Sequence, residues 1–228
     1  MPRPEHEGFR ISALRVTRCI RAWARCWHVL VLGLCLSLAS AGAPWADQNG
    51  DPVSFVRGFS DEAIAMLADR SLSDGQREAG FRRLLERNFD LKRIGRFVLG
   101  KHWRRASRDE RAEFHRLFDD FVIATYAARL GPYSGETLEV GTVRGAGERG
   151  VTVTSRILRP QGEPIRLDWR LRRIGSGGWQ IVDIVVEGVS LALTQRSEFD
   201  SVIRRSGGTI DGLLQVLRDK TNRPGPAA

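Results

Sequence analysis

The fold is decided by residues 179–199, which read WQIVDIVVEGVSLALTQRSEF. The first part, residues 181–186, is rich in β-branched side chains, which favour a strand over a helix. Apolar residues stand at both odd and even positions there, so both faces of this strand are expected to be covered. The strand pattern ends at Gly188, after which helical spacing begins and charge returns only at Arg196 and Glu198. The stretch therefore predicts a strand that leads directly into a helix packed against the end of its own sheet.

Four helices are predicted ahead of this strand, each from a start signal. Asp51-Pro52 supplies a cap and a first-turn proline for the first helix, and Ser73-Asp74 begins the second. Asp90 caps a short third helix, and a capping box at Ser107-Arg108-Asp109-Glu110 opens the fourth and longest, which Gly131-Pro132 ends. The longest helix carries an apolar stripe at helical spacing, made of Phe114, Leu117, Phe118, Phe121, Thr125 and Ala128.

The apolar period changes to two after this helix. Strands are predicted at residues 138–144, 151–158 and 165–171, separated by turns that contain Gly or Pro. Together with the strand at Trp179 they form a four-stranded antiparallel meander. Two helices, at residues 190–205 and 209–220, complete an α+β domain whose helices gather on one face of a twisted sheet. We expect this arrangement to enclose an apolar pocket, into which the aromatic stripe of the longest helix points.

The N-terminus has the pattern of a secretion signal. Its apolar run, residues 27–39, is shorter than the about 20 residues that a membrane span needs. Ala39-Ser40-Ala41 fits a signal-peptidase site, with Ala46 as a second candidate, and an uncleaved anchor is the alternative. Cys35 follows Leu34 rather than a small residue, so lipoprotein processing is not expected. The chain is thus divided into a signal peptide, an exported domain and a loose tail, at residues 1–46, 47–221 and 222–228.

The composition argues against a metal or another cofactor. All three cysteines precede residue 47, so the exported domain has neither a disulfide nor a thiolate ligand. Its histidines are His102 and His115, which are too few for a convincing zinc site.

The formal net charge of +9 permits nucleic-acid binding on charge alone. No basic run interleaved with exposed aromatic residues is evident in the sequence, however, so no nucleic-acid partner is expected. A weak attraction to anionic lipid head groups or a plain solvated surface explains the charge instead.

Several short patterns occur in a fixed order along the chain. They are Trp103 before Ser107-x-x-Glu110-Arg111-x-Glu113-Phe114, then Tyr126-x-x-x-Leu130 with Tyr133-x-Gly135-Glu136, then Gly178-Trp179-x-x-x-Asp183, and last Glu187-Gly188-Val189-Ser190 with Thr194 and Glu198-Phe199. This set resembles the MlaC family of exported lipid-binding proteins, also called toluene-tolerance auxiliary proteins. Gly207-Gly208 together with Leu191-Ala192-Leu193-Thr194 resembles the hopanoid-associated branch of that family. Trp169 stands where many relatives carry a tyrosine.

The resemblance implies an NTF2-like fold with an apolar pocket for the acyl chains of a phospholipid. It also implies a periplasmic carrier that moves lipid between an outer-membrane lipoprotein–porin complex and an inner-membrane ABC transporter, with transient membrane contact. A hopanoid is the alternative cargo, and a protein whose pocket is filled by its own side chains is a further alternative.

The pocket is expected to be lined by Trp103, Phe114, Phe118, Phe121, Tyr126, Leu167, Trp169, Val185 and Val189. For the helical stripe the alternative is an ordinary core, since apolar side chains at helical spacing usually pack inside a protein. Arg196 is the candidate for a contact with the lipid phosphate at the pocket mouth, or else an exposed helix arginine.

An enzyme is the competing class of protein. Gly188-Val189-Ser190-Leu191-Ala192 approaches the Gly-x-Ser-x-Gly motif, with His102 or His115 as a base and Asp183 as its orienting group. The last position is Ala, however, and the sheet is expected to be antiparallel. We therefore predict no catalytic site, with Ser190 as a helix cap and Asp183 as a structural hydrogen-bond acceptor.

Overall fold

The computed structural model describes residues 50–127, 135–145, 150–175 and 178–221. The predicted signal peptide, the predicted tail, Tyr133 and the helix stop at Gly131-Pro132 lie outside these residues. Among the described helices, none combines the length and the apolar character that crossing a membrane requires.

The predicted helices are confirmed within the described residues, with their start signals. Oδ1 of Asp90 accepts a 2.9 Å hydrogen bond from the amide of Arg93, and Ser73 forms a capping box with Gln76. The Ser107 amide donates to Glu110 at 2.6 Å and its hydroxyl accepts from the Glu110 amide at 3.2 Å. The helices are α1 (Pro52–Ala68), α2 (Asp74–Asn88), α3 (Leu91–Leu99), a 3-10 helix (Gly100–Arg104), α4 (Arg108–Ala127), α5 (Leu191–Arg205) and α6 (Asp211–Thr221).

The sheet is an antiparallel meander with one strand more than the predicted four. Its order is β1 (Thr137–Arg144), β2 (Val151–Leu158), β3 (Ile165–Ile174), β4 (Gly178–Val186) and β5 (Val189–Ser190). Glu187 and Gly188 both adopt positive φ, 48° and 82°, which is the geometry of a tight hairpin turn. The two residues after the turn pair back onto β4 before α5 begins. The α+β class is confirmed.

A β-bulge in β4 decides which of its side chains face which way. Ile181 pairs with Leu171 whereas Asp183 pairs with the adjacent Arg170, so Val182 is an extra residue in the strand. The bulge reverses the alternation, and Trp179, Ile181, Ile184 and Val186 therefore share the apolar face of the sheet while Asp183 and Val185 lie on the other. The apolar residues at odd and even positions of this strand reflect the bulge as well as burial on two sides.

The helices meet the sheet in two different ways. α1 packs along β1 and β2, whereas α2, α3 and α5 contact the sheet at β4. α4 packs mainly on α6, with α2 and α3 beside it. The apolar stripe of the longest helix is therefore directed at other helices, rather than towards a pocket under the sheet as the sequence predicted.

Candidate functional site

The apolar face of the sheet forms one hydrophobic cluster together with α1, here called the sheet cluster. Its buried members are Val56, Val153, Leu167, Trp169, Leu171, Trp179 and Ile181. More side chains of this cluster are partly buried than buried; the partly buried ones are Val53, Phe55, Phe59, Phe89, Leu138, Val140, Val151, Ile157, Ile184 and Val186. Apolar surface is therefore left incompletely covered along the layer between the sheet and α1.

Three aromatic rings meet within this layer. Phe59 of α1 contacts Trp169 of β3 edge to face, with ring centroids 5.5 Å apart, and Phe89 at 5.7 Å. Phe89 also packs against the small cluster of Phe81, Leu85 and Ile123, where α2 meets α4. Phe59 thus connects the sheet to the helices through two edge-to-face aromatic contacts.

Trp169 is fixed by hydrogen bonds inside the sheet cluster. Its Nε1 donates to Oγ of Ser155 at 2.8 Å, and that hydroxyl donates to the carbonyl of Leu167 at 3.3 Å. The hydrogen-bonding capacity of the indole N–H is therefore satisfied within the sheet, and the ring of Trp169 faces the apolar layer.

The aromatic residues of α4 lie in a second hydrophobic cluster, here called the helix cluster. Phe114 and Phe118 stack at 5.7 Å, and both contact the ring of Phe199 from α5 edge to face. Phe121 lies 5.9 Å from the same ring. Nearly all members of the helix cluster are buried, including Leu213, Leu214 and Leu217 of α6. This is the packing of a closed core.

The residues predicted to line one pocket are therefore not brought together. Leu167 and Trp169 belong to the sheet cluster, and Phe114, Phe118 and Phe121 to the helix cluster. The remaining predicted residues are buried in neither cluster. Tyr126 packs beside the small cluster of Phe81, and Trp103 lies at the rim of the helix cluster. Val185 lies on the face of β4 opposite the sheet cluster, and Val189 of β5 is 49% exposed. As ligand contacts, all of them remain predictions.

Arg196, the predicted head-group contact, lies on the exposed side of α5. Its guanidinium stands 5.2 Å from the ring centroid of Phe97 in α3. It also covers Gly100, where a Cβ atom would come within 2.9 Å of Nε of Arg196. The structure therefore places Arg196 across the end of α3.

Ser190 and Asp183 form the polar junction between β4 and α5. Oδ2 of Asp183 accepts hydrogen bonds from the Ser190 hydroxyl at 2.6 Å and from Arg170 at 2.9 Å. Its Oδ1 accepts from the amide of Ala192 at 3.0 Å. Oγ of Ser190 in turn accepts from the amide of Leu193 at 3.1 Å, as a helix cap does. The predicted roles of Ser190 as a cap and Asp183 as an acceptor are confirmed.

His102 and His115 have other partners and do not hydrogen-bond to Ser190 or Asp183 in the described residues. Nε2 of His102 lies 2.7 Å from Oδ1 of Asp200. The ring of His115 packs edge to face on Trp103 at 5.1 Å, and its buried Nδ1 makes no hydrogen bond among the described residues. Burial lowers the pKa of His115, and Lys92 lowers it further. The hydroxyl proton of Ser190 is directed at a carboxylate and not at an imidazole.

A partly buried carboxyl group, that of Asp119, lies one helical turn beyond His115. Burial raises the pKa of Asp119 to about 6, and the neighbouring charges of Asp120 and Glu86 raise it in the same direction. Its Oδ1 is buried without a hydrogen-bond partner among the described residues. In the described part of the chain, no group of three or more metal-ligating side chains lies close enough to hold a metal ion.

Surface cavities occur between the helices of the described part of the chain. One of about 390 Å³ lies between α1 and α2, lined by Met66, Leu72, Ala79 and Leu84 with charged residues around them. Another, of about 350 Å³, is lined mainly by polar and charged side chains from α2, α4 and α6. Neither is lined by a residue predicted for the acyl-chain pocket, and the incompletely covered sheet cluster remains the better candidate for an apolar ligand.

Comparison with known proteins agrees with this architecture. A family model described as MlaC protein matches residues 57–219. The chain belongs to the MlaC family. It is similar to the intermembrane phospholipid transport system binding protein MlaC of Haemophilus influenzae, with 24% identity over 176 residues, 71% of this chain and 81% of the relative. It is also similar to a phospholipid-binding protein of Ralstonia solanacearum solved in complex with a phospholipid, with TM-score 0.66 and 26% identity over 75% of this chain and 97% of that one.

Within this MlaC-family chain, sequence reasoning missed the contacts between separate elements. The contacts of Phe59 with Trp169 and with Phe89 follow from how α1 crosses the sheet, which no local pattern in the sequence indicates. The pairing of Arg170 with Asp183 was also missed, because the bulge at Val182 sets which residue of β4 lies opposite Arg170. The bulge leaves no clear signal in a run of β-branched residues.

Proposed function

We propose that this protein is the periplasmic phospholipid-binding component of an intermembrane phospholipid transport system. The observation that carries the proposal is the likeness, over 97% of that chain, to a solved protein that holds a phospholipid. Membership of the MlaC family and the relative in Haemophilus influenzae support the same function. A carrier of this kind keeps the acyl chains away from water while the lipid crosses between membranes.

The acyl chains are proposed to lie against the sheet cluster. Its side chains present apolar surface that α1 only partly covers, whereas the helix cluster is already filled by its own rings. Chains inserted between the sheet and α1 would contact Leu167 and Trp169, and would require Phe59 to move from its place between Trp169 and Phe89. Of the residues predicted to line the pocket, Leu167 and Trp169 are thus the ones proposed to contact the acyl chains.

The energetics of such a carrier are favourable for reversible loading. Burial of acyl chains recovers about 0.8 kcal/mol per methylene group relative to water. A bilayer offers a similar gain, so the carrier needs only to match the bilayer in order to exchange lipid with it. The direction of transport is then set by the partners that load and unload the carrier.

The partners proposed are an inner-membrane ABC lipid transporter and an outer-membrane lipoprotein–porin complex, as the family resemblance implies. Residues 1–46 would act as the secretion signal that brings the chain to the periplasm. No catalytic role is proposed for Ser190, because its hydroxyl is engaged by Asp183 and by the helix that it caps.

Native mass spectrometry of protein purified from the periplasm, with extraction and identification of the bound lipid, tests the proposal. We expect one phospholipid per protein molecule. Recovery of a hopanoid would mean that the protein is a lipid carrier with a different ligand. Protein that is purified from the periplasm without lipid, and that takes up none from vesicles, would contradict the proposed function.

A further inference from the structure

A continuous segment of the chain carries positive charge without any carboxylate. Residues 91–108 contain no Asp or Glu; they span α3, the 3-10 helix, the link at residues 105–107 and the first residue of α4. Their basic residues are Lys92, Arg93, Arg96, Lys101, Arg104, Arg105 and Arg108, all of them exposed. Helical spacing distributes these charges between apolar positions, so the segment shows no unbroken basic run in the sequence.

An exposed apolar group lies within this basic surface. Phe97 is 39% exposed on α3, one helical turn after Arg93, and its ring contacts the guanidinium of Arg196 at 5.2 Å. Leu193 is 49% exposed on α5, one turn before Arg196. These four residues, Arg93, Phe97, Leu193 and Arg196, are called here the basic–apolar patch.

The carboxylates next to the patch are already engaged. Asp200 of α5 lies 3.0 Å from Nζ of Lys101 and 2.7 Å from Nε2 of His102, and it also pairs with Arg204. These contacts hold the pKa of Asp200 down to about 2, so its carboxylate stays ionised. It is paired with Lys101, His102 and Arg204. Glu198 on the same helix accepts a 3.3 Å hydrogen bond from Gln195, which leaves its charge in place. With Lys92, Arg93, Arg96 and Arg196 exposed beside it, the surface around Phe97 still carries a net positive charge.

We propose that the basic–apolar patch is the surface by which this protein contacts anionic phospholipid bilayers; the inference rests on the proposed carrier function. Arginine side chains attract anionic head groups, and exposed Phe and Leu side chains insert at the boundary between head groups and acyl chains. An acidic protein surface would match the same charges and would also bury the two apolar side chains, so it is the other outcome of the vesicle test.

The patch also includes residues of the helix that follows β4 and β5 directly. α5 begins directly after β4 and β5, and Asp183 of β4 holds its first turn through the Ala192 amide. Contact of Leu193 and Arg196 with a bilayer would therefore place the β4 edge of the sheet next to the membrane.

Co-sedimentation of the full mature protein with vesicles tests the proposal. Vesicles of pure phosphatidylcholine are compared with vesicles that also contain phosphatidylglycerol. We expect binding to the anionic vesicles alone, weakened by added salt. Arg93→Glu with Arg196→Glu should reduce this binding at least about tenfold, since each basic residue near an anionic surface is worth about fivefold. The matched control, Arg57→Glu with Arg70→Glu on and after α1, makes the same charge change away from the patch and should reduce it less than about threefold.

A second pair of variants separates insertion from charge. Phe97→Ser with Leu193→Ser should weaken binding to anionic vesicles by about tenfold or more, because two exposed apolar side chains lose their burial. The control is Val143→Ser with Ile174→Ser, which removes two equally exposed apolar side chains from β1 and β3. The lipid that co-purifies with every variant is measured alongside.

The outcomes are distinct. If the patch and control variants lose vesicle binding equally, the proposal is wrong, and binding depends on the net charge of the protein and not on a particular surface. Failure of the wild-type protein to bind anionic vesicles while it still carries lipid would overturn the proposal and leave the carrier function intact, with a protein partner as the occupant. If no lipid co-purifies with the wild-type protein, the proposed function itself is contradicted.

Discussion

The hydroxyl of Ser190 donates a 2.6 Å hydrogen bond to Oδ2 of Asp183, and this bond joins the last long strand to the helix that follows it. The same serine accepts from the Leu193 amide, and the same carboxylate accepts from the Ala192 amide. Two unpaired amides at the start of α5 are thereby satisfied, and a negative charge lies where the helix dipole favours it. A sequence pattern close to that of a nucleophilic serine serves here to begin a helix.

Ser190→Ala should lower the free energy of unfolding by about 1–2 kcal/mol, because the helix loses its cap and Asp183 loses one donor. Co-purified lipid should be unchanged. Chemical denaturation and lipid extraction measure the two effects, and Ser197→Ala, an exposed position within the same helix, is the control. Labelling of the wild-type protein by a serine-hydrolase probe, abolished in Ser190→Ala, would show that the serine is a nucleophile.

Asp183→Ala should be more damaging than removal of an ion pair on the adjacent strand. The substitution leaves Arg170, the Ser190 hydroxyl and the Ala192 amide without their acceptor, at a cost of about 2–4 kcal/mol. Asp168→Ala removes the partner of Arg166, whose side chain is half exposed, and should cost less than about 1 kcal/mol. Similar denaturation midpoints for the two variants would show that the junction at Asp183 is unimportant for stability.

The secondary structure was predictable because each element carries its own local signal. The helix starts at Ser73 and at the Ser107 capping box appear where the sequence indicates them. β5 was missed because two residues are too few to show a period. Strict alternation in the sequence of β3 places Leu167 and Trp169 on one face, and the structure buries both of them.

The candidate site was predictable in composition but not in arrangement. Periodicity places Phe114, Phe118 and Phe121 on one face of α4, yet it does not say which element covers that face. The structure covers it with α5 and α6, through Phe199 and the leucines of α6. Which apolar stripe meets the sheet depends on the path of the chain after each turn, and that path is set by long-range packing.

Asp119→Asn should stabilise the protein at neutral pH. The pKa of Asp119 is about 6 in the folded protein against 3.8 for an unperturbed carboxyl group, so the folded state binds the proton more tightly. Stability therefore falls as the pH rises from 4 to 6, and the penalty is complete above that range. Allowing for solvent screening at this partly buried site, we expect a gain of about 1–2 kcal/mol at pH near 7.5.

The stabilisation by Asp119→Asn should shrink as the pH is lowered towards 4, where both forms of the residue are neutral. Urea denaturation at a series of pH values measures it. Asp61→Asn, at an exposed position of α1, is the control and should leave the stability nearly unchanged. A gain that is independent of pH would mean that the charge of Asp119 is not its cause.

The last prediction concerns the two hydrophobic clusters. Ile184→Arg introduces a charge on the incompletely covered face of the sheet, opposite Trp169 in the strand pairing. A long side chain at a partly buried site can extend its charge to water, so the domain should fold. Its stem and charge would occupy the layer between the sheet and α1, and the variant should purify without phospholipid. Gln180→Arg, on the same strand but the opposite face, should retain the lipid.

Phe121→Arg makes the corresponding change in the helix cluster. Phe121 lies 5.9 Å from Phe199 in a closed core, so an unpaired charge there should cost several kcal/mol and unfold the domain or lower its melting temperature sharply. Circular dichroism and lipid mass spectrometry distinguish the two variants. If Phe121→Arg folds normally and loses its lipid while Ile184→Arg keeps it, the acyl chains lie among the aromatic residues of α4, as the sequence suggested, and not against the sheet.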